Sequence, residues 1–142
     1  MNDVLCMLAV KNIKLNNLLI LLKMKDNPLS KKSYAFALEI VKIYKEVTFR
    51  EKEFVLSKQL LKAGTSIGAN ISEANGAISK ADFSSKISIA YKESLETKYW
   101  LNLLRDADYI PSVKANGLLG LADELSKIMF SILKTTRINI TN

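Results

Sequence analysis

Apolar residues recur along this chain at the three- and four-residue steps of an α-helix, and no stretch holds the two-residue alternation of a strand. Phe36, Ile40, Ile43 and Val47 form one stripe, with Tyr34, Ala37, Val41 and Tyr44 beside it. Together they predict an amphipathic helix over about residues 30–48. Asn27-Pro28 is a start signal, because Asn accepts from orphan N–H groups and Pro is tolerated in the first turn. Ser30 is a competing cap. After a polar break at Thr48–Lys52, a second helix is expected to begin near Glu51 or Glu53, where a carboxylate suits the positive end of the helix dipole. Leu56, Leu60, Ala63, Ile67, Ile71 and Ala74 hold its period, and Asn75-Gly76 is its stop.

Ser79 and Asp82 resemble a capping box, with Asp in place of Glu, at the head of a third helix. Phe83, Ile87, Ala90, Ser94, Thr97, Leu101 and Leu104 trace its inner face to about Asp106, which is about 42 Å of helix. Pro111 disfavours helix at Ile110 and breaks the pattern. A fourth helix carries Leu118, Leu121, Leu125, Ile128 and Ile132 on one face, with Ala122 and Met129 alongside, and ends near Arg137. Four amphipathic helices on short connections predict an all-α, up-down-up-down four-helix bundle over residues 25–142. The aromatic residues on or near these stripes are expected mostly in the core.

The middle of the second helix departs from ordinary helix chemistry. Ala63, Gly64, Thr65, Ser66, Gly68 and Ala69 are all small. Each interior Gly costs roughly 1 kcal/mol against Ala. Close approach of a neighbouring helix is the simplest compensation, within the chain or between subunits. Ser66, Asn70 and Glu73 follow at steps of four and three along one side. They read as a buried polar network that fixes helix register, with a binding site as the alternative.

Composition sharpens this picture. In 142 residues there are only 5 Gly and 2 Pro, which suits long helices and not a turn-rich β fold. There is no His, so Ser-His, Cys-His and His-metal chemistry are all absent. The lone Cys6 excludes an internal disulfide and any Cys-cluster zinc site, and a reducing compartment, the cytoplasm, is the expectation. Residues 1–24 are rich in Leu, Ile, Asn and Lys. Lys11, Lys14 and three Asn interrupt the apolar run, so it reads neither as a membrane span nor as a signal peptide. Two readings stay open for it: an extra helix packed on the domain, or upstream sequence ahead of a true start at Met24.

No motif carries catalysis. Ser131-x-x-Lys134 lacks the companion elements of the enzymes that use it. Asn70-Ile-Ser72 matches a glycosylation acceptor but falls within a helix. Glu93 and Glu96 share a helix face, yet without His a di-iron bundle site cannot be built. They are expected to be solvated or paired with Lys92 and Lys98. No cofactor, metal or small-molecule substrate is therefore expected.

Charge is what remains. The chain has 21 basic and 14 acidic residues, and 12 of the basic against 6 of the acidic fall in residues 1–62. Lys31, Lys32, Lys42 and Lys45 on the first helix, with Lys58 and Lys62 on the second, are the candidate nucleic-acid contacts. The alternative is a solubilising surface interspersed with Glu39, Glu46, Glu51 and Glu53. With 18 Lys to 3 Arg, binding would follow the phosphate backbone and read sequence weakly.

A family resemblance follows from separated motifs in a fixed order: Gln59-Leu60, Ala63, Ser66, Asn70-Ile71 and Glu73, preceded by Phe36-Ala-Leu38 and followed by Ser79-Lys-Ala-Asp-Phe83, Ala90-Tyr-Lys-Glu93 and Glu96-Thr-Lys-Tyr-Trp100. This pattern resembles the bacterial four-helix-bundle proteins encoded in intervening sequences of 23S ribosomal RNA genes, over about residues 29–137. The resemblance implies homopentamers. It also implies kinship with the accessory variability protein of diversity-generating retroelements, a basic pentameric barrel that binds a reverse transcriptase and nucleic acid. No established catalytic residue comes with it. Two function classes stay open: a non-enzymatic oligomer that binds structured RNA or DNA, and a protein–protein adaptor for a reverse transcriptase or another enzyme.

Overall fold

The computed structural model describes residues 27–140, with side chains through Thr136. The segment before it, with its choice between an extra helix and an upstream start, lies outside the described residues. Four helices follow in order: α1 (Pro28–Arg50), α2 (Leu56–Asn75), α3 (Lys80–Asp106) and α4 (Ser112–Ile140), with no strand among the described residues. Each packs antiparallel on the next, and α4 returns to α1 over a shorter stretch, which closes the ring. This is an up-down-up-down four-helix bundle.

The helix ends show why the chain turns where it does. Asn27 accepts from the Leu29 N–H at 3.0 Å and Pro28 occupies the first helical position. Ser30 is not the cap; its hydroxyl instead accepts from Asn75 Nδ2 at 3.0 Å, which ties the start of α1 to the end of α2. The second helix starts at Leu56, later than expected, because the Glu53 carboxylate stands back from it and takes three backbone N–H groups. Val55, Leu56 and Ser57 donate to it at 2.9, 2.8 and 2.7 Å. Burial pushes the Glu53 carboxyl up, but these three donors outweigh it and hold the group below its ordinary value. Gly76 ends α2 with a negative φ, so this stop does not use the left-handed conformation that Gly usually supplies. Ser79 accepts from the Asp82 N–H at 3.0 Å, and the Asp82 carboxylate reaches back to the Ile78 N–H at 3.2 Å, one residue further than in a capping box.

The core is built from one stripe per helix. Phe36, Ile40, Ile43 and Val47 of α1 are buried, as are Leu60, Ile67 and Ile71 of α2 and Ile87, Leu101 and Leu104 of α3. The parallel stripe of α1 faces outward instead: Tyr34 is 68% exposed, and Ala37, Val41 and Tyr44 are only half-buried. In α4 the buried face is rotated from the expected one. Ala115, Leu118, Ala122, Leu125, Met129 and Leu133 point inward, while Leu121 is 45% exposed. Two small residues, Ala115 and Ala122, are fully buried there, where the Leu-rich reading set Leu121 on the inner face. Between α3 and α4 the Ser94 and Ser126 hydroxyls meet at 2.8 Å in the core: one donates to the other, which is in reach of a carbonyl of its own helix for its own proton. Among the described residues, no buried side-chain polar atom lacks a partner.

Candidate functional site

The small-residue and polar signature of α2 divides between two seams. Gly64 and Gly68 face α1. A methyl group on Gly64 would stand 2.8 and 2.9 Å from the Ile40 side chain, closer than packed atoms tolerate. On Gly68 it would stand 3.4 Å from the Ser33 carbonyl oxygen, an ordinary contact. Ala63 is buried beside them and Gln59 is exposed. The close approach expected from the glycines is therefore an intrachain one, between α1 and α2. The other side of α2 looks toward α3, where Glu73 pairs with Lys86 at 2.7 Å.

The polar network expected at Ser66, Asn70 and Glu73 does not form. Ser66 bonds the Lys62 carbonyl and Asn70 bonds the Ser66 carbonyl, both within α2, and Glu73 is exposed. A helix offers Ser and Asn an acceptor four residues back, and here both take it. The polar contact that does cross helices within the core is Ser94 with Ser126.

The six candidate lysines differ in what they pair with. Lys31 and Lys32 lie on the first turn of α1, and Lys32 is bridged to Glu124 of α4. Lys42 pairs with Glu39 at 2.6 Å along its own helix. Lys45, Lys58 and Lys62 are exposed and form no ion pair among the described residues. Lys45 is near the end of α1 and Lys58 at the start of α2, so the turn between these helices brings them to one end of the bundle. Lys62 acts across the seam on Glu93 of α3. Burial and the neighbouring Glu96 raise the Glu93 carboxyl above its ordinary value, and the Lys62 ammonium opposes them. Glu96 accepts from Trp100 Nε1 at 3.2 Å. Lys98 turns to Asp123 instead, at 3.3 Å. Among the described residues, no group of three or more Cys, Asp or Glu side chains is arranged to hold a metal ion, and no helix is long and apolar enough to cross a membrane.

Sequence reasoning passed over the corner where α1 meets α2. Phe49 is 77% exposed and Phe54 56% exposed, and both line an open cleft of about 730 Å³ together with Lys45, Arg50 and Lys52. The Lys52 ammonium lies 5.2 Å from the centre of the Phe49 ring, within cation–π range. Lys52 also has a φ of 53°, a left-handed conformation that costs a β-carbon-bearing residue about 1–2 kcal/mol. The signal was present in the sequence: two aromatic residues bracket a run of alternating charge, Phe49-Arg-Glu-Lys-Glu-Phe54, in a segment otherwise read as a polar break.

Comparison with known proteins places this geometry in context. No curated protein matches the chain. A crystal structure from Bacteroides thetaiotaomicron, described as a protein with unknown function from the S23 ribosomal protein family, is 47% identical. It superposes with a TM-score of 0.74 and covers 75% of this chain and 98% of that one. The pattern of the 23S rRNA-intervening sequence proteins matches residues 25–131, from just ahead of the Asn27 cap through most of α4. The chain belongs to the 23S rRNA-intervening sequence protein family.

Proposed function

We propose that this protein is a non-enzymatic, self-associating bundle that binds structured RNA or DNA through the phosphate backbone. The observation that carries this reading is the set of unpaired surface lysines, Lys45, Lys58 and Lys62, in a chain of net charge +7. Phosphate binding favours cations not already held in an ion pair, and these three form none among the described residues, whereas Lys32 and Lys42 do. Self-association into the pentamer that the family resemblance implies is supported by large apolar side chains left outside, including Tyr34, Leu38, Tyr99 and Val113.

The test is a salt titration of binding to a fluorescently labelled RNA hairpin and to its DNA counterpart. Binding is expected to weaken steeply between 50 and 200 mM salt, as about 10³-fold for six or more phosphate contacts. Replacing Lys45, Lys58 and Lys62 by Gln is expected to lower the salt slope by about one for each lysine that contacts a phosphate. Gln is the right replacement, because Glu at position 62 would add a carboxylate beside Glu93 and Glu96. A flat salt response overturns this reading and favours the adaptor, whose contacts would be the exposed apolar faces.

A further inference from the structure

Resting on that reading, we infer that the corner between α1 and α2 is a stacking site for unpaired bases of a single strand, with Phe49 and Phe54 as platforms and Lys45, Arg50 and Lys52 as phosphate contacts. A duplex hides its base faces in the stack, so an exposed phenylalanine gains little from it. A looped-out or single-stranded nucleotide offers a π-face that any aromatic ring can cover. Two large aromatic rings in water beside three cations supply both halves of such recognition.

The local charges favour this occupant. Three carboxylates lie in the same stretch, and two are already engaged. Glu46 receives Lys114 Nζ at 2.6 Å, and Glu53 is held by the first turn of α2. Glu51 alone has no described partner, against Lys45, Arg50 and Lys52, none of which forms an ion pair among the described residues. Glu53 keeps its charge, since its partners are neutral N–H groups, so with Lys114 four cations stand against three carboxylates, and an acidic ligand meets a small net positive charge. The Lys52 ammonium over the Phe49 ring sets a cation beside an exposed aromatic face, the pairing that a stacked base and its phosphate need. Lys52 holds this place in a strained backbone conformation. Strain of this kind persists where the surroundings over-determine it, and it concentrates at functional sites.

Fluorescence anisotropy of the full chain with a labelled 20-nucleotide single strand and with the duplex of the same sequence tests the site. The wild type is expected to bind the single strand more tightly. Phe49→Ala with Phe54→Ala is expected to weaken single-strand binding about tenfold or more while duplex binding changes less than twofold. Phe49→Tyr with Phe54→Tyr, which keeps both π-faces, is expected to restore it. Circular dichroism checks that the helices persist, as exposed positions should allow. Unchanged single-strand binding in the Ala variant overturns the stacking site but leaves phosphate binding by the wild type intact. Failure of the wild type to bind either nucleic acid overturns both. A change of oligomeric mass in the Ala variant, with single-strand affinity retained, assigns the rings to a contact between subunits and overturns the site.

Discussion

Gly64 lies directly against Ile40: a β-carbon at position 64 would fall 2.8 Å from Ile40 Cγ1 and 2.9 Å from Cγ2. Both are branch atoms of a side chain with no exposure, so neither can swing aside as a flexible tip would. The α1–α2 seam is thus set at a distance that only a hydrogen at position 64 allows.

Gly64→Ala is expected to destabilise the bundle by up to about 2 kcal/mol in urea unfolding, since overpacking costs about 1–3 kcal/mol and better helix propensity returns about 1. A double-mutant cycle with Ile40→Ala is expected to show coupling, with the Gly64→Ala cost removed once the branch atoms are gone. Gly117 and Gly120 are the controls. A β-carbon at either meets nothing within 4 Å, so Ala there is expected to stabilise by up to about 1 kcal/mol each. Destabilisation at all three glycines would show that backbone and not packing sets the effect.

Glu53→Gln is expected to destabilise the protein at pH 7 and to matter less in acid. The folded-state carboxyl lies below its ordinary value, so its contribution is complete above the unfolded carboxylate pKa. It is lost as pH falls through the folded value. Glu53→Ala, which removes the cap altogether, is expected to cost about 1 kcal/mol at neutral pH. Urea midpoints measured from pH 7 down to pH 3 check this: wild type and Glu53→Gln should converge at the acidic end.

Glu93 carries the opposite sign. Its folded-state carboxyl is raised, so the ionised group costs stability above that value, and the cost is relieved as pH falls toward the unfolded pKa. Glu93→Gln is expected to be more stable than wild type at pH 7 and no more stable at pH 4. Lys62→Gln removes the opposing cation and should deepen the cost at pH 7. Thermal melts of the two variants across this range decide it.

Lys52→Gly should separate stability from binding. Gly takes a φ of 53° without the β-carbon penalty, so the variant is expected to hold or gain up to about 1 kcal/mol. Single-strand affinity should fall in the same protein. A parallel loss of both would mean that Lys52 acts through the fold.

The four helices were legible because their core stripes are long and regular, as at Phe36, Ile40, Ile43 and Val47. The inner face of α4 was not. Leu121 and Ala122 are adjacent, and a stripe drawn through the large apolar residues selects Leu121 where the structure buries Ala122. Glu53 was readable as a helix-start residue, though not as a carboxylate held a few residues ahead of the helix it caps. Lysine positions were legible as charge, but which of them are free depends on partners far along the chain, such as Glu124 for Lys32. The corner between α1 and α2 is hard to read from sequence because Phe49 and Phe54 lie outside the amphipathic rhythm of both helices.

The loose seam between α1 and α4 has a kinetic consequence. The tight packing all joins helices that are neighbours along the chain, while the return from α4 to α1 is narrow and bridged by exposed ion pairs, Lys32 with Glu124 and Lys114 with Glu46. Contact order is therefore low, and folding should run in the microsecond-to-millisecond range of helical bundles. Each hairpin can form as soon as its second helix emerges from the ribosome, and ring closure comes last at little cost in rate.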